Sequence, residues 1–135
     1  MNWKLVFTLS LFGLAMGVAT VYVVPSNVEP LFWLAIFVAC AIVIARRCAS
    51  KYFLHGLSVS LVNSVWITTA HVVLFDAYAA RHPEEVAMAA QMGSPRVMMA
   101  ATGPVVGLVS GVILGLFAYA ASRVTKPAAA VSSDA

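Results

Sequence analysis

The sequence predicts an all-α membrane protein: four transmembrane helices in a compact bundle, plus a short amphipathic outer-surface helix between helices three and four. Three observations lead there. Of 135 residues, 62% are hydrophobic and only 10% charged, against roughly a quarter charged in soluble domains. The chain carries four apolar stretches of roughly the ~20 residues that cross a ~30 Å hydrocarbon slab. Its basic residues sit at the ends of those stretches rather than on a patch or stripe, which argues for a lipid bilayer as partner and against nucleic acid. No second folded domain fits, so 1–126 is read as the transmembrane domain and 127–135 as a disordered cytoplasmic tail without periodicity.

Leu5 to Val24 carries no charge, follows Trp3 and Lys4, and ends at Pro25, which gives helix one. A basic start and Ala15-Met16-Gly17 also fit a cleaved signal peptide, but the apolar run is longer than a usual signal core. Retention or cleavage stays open. Ser26-Asn27-Val28-Glu29 has capping-box spacing and Pro30 suits a first turn, so helix two starts between Ser26 and Pro30 and runs to about Ala45. Its apolar part is short, which calls for Arg46 and Arg47 to snorkel.

Tyr52 to Ala80 forms helix three, longer than a span needs, with Asp76 and Tyr78 reaching the headgroups. Asp76 is expected to meet water or Arg81. His82-Pro83-Glu84-Glu85 opens the surface helix, with proline at its first position and acids in its first turn, and Gly93 stops it. Ser94-Pro95 repeats the start signal for helix four, about Val97 to Ser122, with a kink expected at Pro104. Lys4, Arg46, Arg47, Lys51, Arg123 and Lys126 fall on one side, and only Arg81 and Arg96 on the other. By the positive-inside rule both termini are cytoplasmic, and the interfacial rings Trp3, Tyr52 and Tyr119 against Tyr22, Trp33 and Tyr78 agree.

Small residues predict the packing. Gly103, Gly107, Gly111 and Gly115 bare one stripe of helix four, and Gly13 and Gly17, flanked by Ser10 and Thr20, bare a face of helix one; close backbone approach is a main source of association in lipid. Helix one is expected to fill the helix-four groove.

Ser60, Asn63, Ser64, Thr68 and His71 form a polar stripe on helix three. Such a stripe is either a solute or proton path, with His71 as an intramembrane ionisable group, or interhelical glue. Met88, Met92, Met98 and Met99, with His82 nearby, are soft donors suited to copper, although methionine also fills gaps and faces bilayers. His55 is expected at the interface beside Lys51. Cys40 and Cys48 lie about 12 Å apart along a helix, too far for a disulfide. No nucleophile triad, phosphate loop or zinc spacing occurs; the chain is read as a non-enzyme without cofactor.

The run Lys51-Tyr52-Phe53-Leu54-His55-Gly56 through Ser64-Val65-Trp66-Ile67-Thr68-Thr69-Ala70-His71, with His82-Pro83-Glu84-Glu85 and the helix-four glycines, resembles a group of small four-helix bacterial membrane proteins of unknown function. That resemblance implies a bacterial inner-membrane location and a compact bundle, and no activity or site. The leading functional expectation is an accessory or scaffold protein acting by helix association, as a homo-oligomer or with a membrane-protein partner. The alternative is a small transporter or channel subunit, and a lesser one is copper handling. An enclosed cavity along the helix-three stripe favours transport; dry packing against glycines favours the scaffold.

Overall fold

A computed structural model describes residues 1–125. Six helices build it: α1 (Trp3–Tyr22), α2 (Glu29–Arg47), α3 (Tyr52–Val73), α4 (Phe75–Arg81), α5 (Pro83–Ala90) and α6 (Pro95–Val124), and no strand occurs among the described residues. Four of them, α1, α2, α3 and α6, are long and apolar enough to cross a membrane. Lys126 and the tail 127–135 lie outside the described residues. The Asn2 side chain caps α1 by accepting from the Leu5 N–H at 3.0 Å, and Pro30, Pro83 and Pro95 each stand in a first turn, where no intrahelical N–H bond is lost. α6 runs unbroken through Pro104.

The bundle is organised around α3. Residue numbers rise together along the α1–α3 contact, where a β-carbon on Gly13 would lie 2.7 Å from Asn63 Cα and one on Gly17 3.1 Å from Ile67 Cα. Those two helices are therefore parallel. The α6 stripe runs the other way along α3: Gly103 faces Thr68, Gly107 Ser64, Gly111 Leu57 and Gly115 Phe53. This corrects the expected pairing, because α3, not helix one, fills the helix-four groove. The reason is that α3 carries side chains shaped to both stripes and a glycine of its own, Gly56, whose added β-carbon would stand 2.7 Å from Gly115 Cα. The small-residue face of α1 does dock as a unit, with Trp66 Nε1 donating to Ser10 Oγ at 3.2 Å.

One end of the bundle holds Trp3, Arg47, Lys51 and Val124; call it the termini end, and the opposite one the α5 end. The termini half is solid. Val6, Leu9, Cys40, Ala41, Ile44, Val59, Leu114 and Ala118 form one buried cluster there. His55 is not at the interface with the Lys51 side chain but buried, its Nδ1 donating to the Lys51 carbonyl at 2.8 Å and its Nε2 accepting from the Asn2 N–H at 2.9 Å. Outside, Phe7, Leu11, Leu31, Val65, Val105, Val109 and Leu116 are exposed, an apolar belt of the kind lipid covers.

Helix three ends early. The chain breaks after Val73 at Leu74 and restarts as α4, so the expected single helix to Ala80 is two. Asp76 meets solvent as expected, being 95% exposed, and the arginine beside it is Arg96 rather than Arg81, Nη2 to Oδ1 at 3.3 Å. Gly93, at φ 134°, turns the chain from the end of α5 into α6, a conformation open to glycine and rarely to other residues.

Candidate functional site

Above the solid half, α2, α3 and α6 separate around a cavity of about 640 Å³, within the range of small-molecule sites. Ser60, Asn63, Ser64, Thr68 and His71 all line it. The structure brings the predicted polar stripe together on one wall. Facing it, α6 contributes Thr102, Ser110 and two stripe glycines, Gly103 and Gly107. The stripe is thus both packed and open: Ser64 and Thr68 rest on those glycines while still bordering the cavity. Phe37, Ile113 and Phe117 line it toward the termini end, and Ser26, Glu29 and Tyr78 stand at the α5 end.

Asn63 is only 2% exposed, and neither its Oδ1 nor its Nδ2 has a hydrogen-bond partner. Leaving such a group unpaired costs about 1–3 kcal/mol. Packing explains its position but not its chemistry: Gly13 leaves room for the carboxamide, with the site of a β-carbon 2.5 Å from Oδ1. Ser64, by contrast, is satisfied by donating to the Leu61 carbonyl at 2.8 Å.

A stack of rings stands at the α5 end. His71 lies 4.4 Å from Tyr78, and Tyr78 lies 4.3 Å from His82. The Thr20 hydroxyl, whose one proton goes to the Gly17 carbonyl at 3.1 Å, accepts from His71 Nε2 at 2.8 Å. That leaves His71 Nδ1 as an acceptor on a ring lining the cavity. His82, 3% exposed, donates from Nε2 to the Thr20 carbonyl at 2.8 Å, and its Nδ1 lies 2.8 Å from Ser26 Oγ. Ser26 in turn donates to Glu85 Oε1 at 2.5 Å. His82 Nδ1 stands 3.7 Å from Glu85 Oε1, and the chain from Thr20 through Ser26 to Glu85 ties α5 to α1 and the α1–α2 turn.

The surroundings tune these groups. The Ser26 hydroxyl, above all, and the nearby His82 hold the Glu85 carboxyl below its ordinary 4.5. Burial, then Glu85 and Glu29, push the Tyr78 phenol up to about 12, so it stays a neutral donor. Burial raises the Cys48 thiol, with the terminal amine opposing, which makes it a poor thiolate nucleophile.

A second, smaller cavity of about 280 Å³ adjoins the first. Met88, Met92, Met98 and Met99 all line it, with Glu85, and Tyr78, Met99 and Thr102 border both spaces. His82 does not join the methionines, since both its nitrogens are engaged elsewhere. Among the described residues no group of three or more His, Cys, Asp or Glu gathers that could hold a metal ion.

Sequence reasoning missed the α2 wall. Glu29, Trp33 and Phe37 recur at four-residue spacing and all face the cavity; Trp33 Nε1 donates to Glu29 Oε1 at 3.1 Å, and the Trp33 and Phe37 rings meet edge to face at 6.0 Å. That spacing was a signal available from the sequence. Ser26 and Tyr78 had none, because their partners lie more than fifty residues away or across the break at Leu74. Comparison with known protein families, characterised proteins and solved structures finds no match for this chain.

Proposed function

We propose that the chain is a multi-pass inner-membrane protein, with cytoplasmic termini and α5 outside, that binds a small solute in the α5-half cavity as a small transporter or channel subunit. The carrying observation is the lining: residues of one polar helix stripe, Ser60, Asn63, Ser64, Thr68 and His71, border a space of ligand size, the Asn63 carboxamide itself being turned toward Gly13 of α1. Intramembrane polar groups are costly and mark pathways when they border a cavity. Orientation rests on Lys4, Arg46, Arg47, Lys51 and Arg123 at the termini end against Glu29, Asp76, Glu84 and Glu85 at the other.

The scaffold reading loses its main support. Both glycine stripes are occupied by α3 within the chain, so neither is left as a bare face for a second molecule, and oligomers would have to use other surfaces. Proteoliposomes loaded with a panel of small neutral and cationic solutes test the proposal. Protein-dependent, saturable release of at least one solute is expected, abolished by Ser110→Trp, which fills the cavity, and retained in Ala120→Trp on an exposed face. Release equal to that of protein-free vesicles across the panel contradicts it.

A further inference from the structure

The geometry points to a lipophilic monocation, a quaternary ammonium or phosphonium type, as the ligand of the larger cavity; this rests on reading that cavity as a binding site. Of all the residues lining it, Glu29 alone carries a formal charge, and no lysine or arginine borders it. A half-open space with one carboxylate and no base favours a cation by simple charge balance, and more so where apolar walls displace water. The carboxylate is fixed rather than free, because Trp33 donates to it from one turn down the same helix. One oxygen contact of about four that a carboxylate can accept is used, so the rest of its charge remains unpaired.

The walls suit the same guest. Trp33, Phe37 and Phe117 line the cavity with rings, and ring faces attract cations, most when water is excluded. A bulky apolar cation needs no directional hydrogen bonds, which fits walls where hydroxyls such as Ser64 are already satisfied internally. The approach has the same sign: the adjoining smaller cavity carries Glu85 and no base, with methionines that adapt to irregular apolar shapes. Arg96, the nearest cation in sequence to that approach, is turned to Asp76 at 3.3 Å and lies 4.8 Å over the Phe75 ring, lining neither space.

Equilibrium dialysis of the full chain in non-ionic detergent tests this with tetraphenylphosphonium and tetraphenylborate, ions of one shape and opposite charge. Saturable binding of the phosphonium is expected, at least tenfold weaker in Glu29→Gln, partly restored in Glu29→Asp, and absent for the borate. Glu29→Gln keeps an acceptor for Trp33, and an unchanged melting midpoint shows that it folds. Equal saturable binding of both ions, or an unaffected Glu29→Gln, overturns the cation preference while leaving the cavity a binding site. No saturable phosphonium binding also overturns it, and the solute-release experiment then decides separately whether the cavity binds anything.

Discussion

The two halves of the bundle use the same helices differently. In the termini half, Gly56 of α3 meets Gly115 of α6 backbone to backbone, and Ile44, Leu114 and Ala118 are fully enclosed. Gly111 and Gly115 are also covered by the apolar Leu57 and Phe53 side chains, whereas toward α5 the same stripe meets hydroxyls: Gly107 faces Ser64 and Gly103 faces Thr68, with open space beside them. One glycine repeat therefore closes the bundle where α3 offers Gly56 and apolar side chains, and seats hydroxyls beside open space where it does not. Close packing and open space are divided along a single helix pair.

The largest way to break that contrast is a glycine pair. Gly56→Ala would set a methyl 2.7 Å from Gly115 backbone atoms, which cannot rotate away, and should cost about 3 kcal/mol or prevent folding. Gly103→Ala collides with the Thr68 hydroxyl and stands 3.0 Å from its Cβ, but this is a side chain beside a cavity rather than backbone, so it should cost less, about 1–2 kcal/mol. Thermal midpoints in detergent compare them; equal losses would erase the distinction between the halves. Next comes a truncation pair. Leu114→Ala, at a fully buried position, should lose about 2–5 kcal/mol, whereas Ile113→Ala, 43% exposed beside the cavity, should lose about 1 kcal/mol or less.

Asn63→Leu sharpens the comparison from the other direction. Replacing an unpartnered carboxamide by an apolar group of similar shape should leave stability unchanged or raise it by about 1 kcal/mol while reducing solute release. A large destabilisation would mean that Asn63 is structural. Smallest is the acid response of α5. Because the folded Glu85 carboxyl lies below its ordinary 4.5, its contribution is present above the unfolded value and is lost as pH falls through the folded one. Proteolysis near Arg81 should quicken only below about pH 4.5, and Glu85→Gln should remove that dependence.

Much of this architecture was legible in the sequence. Charge-free runs gave the four long helices, proline and glycine gave the bounds of α5, and three- and four-residue spacing gave the stripes. Partner choice was not legible, since a bare stripe says that something docks and not what; Gly56 and the hydroxyls of α3 decided it through shape. The break at Leu74 carries no proline or glycine, so nothing local announces it. The ring stack at the α5 end joins Thr20, Ser26, His71 and His82 across fifty residues or more, a closeness only the folded bundle creates. The Glu29-Trp33-Phe37 ladder was readable and passed for an ordinary apolar face.

Site-directed thiol labelling measures the division most directly. With Cys40 and Cys48 replaced by alanine, a membrane-impermeant maleimide applied from the α5 side should modify Ser110→Cys and Thr68→Cys readily and leave Ala118→Cys untouched. Equal protection of all three positions would mean that water does not enter the α5 half and would contradict the account.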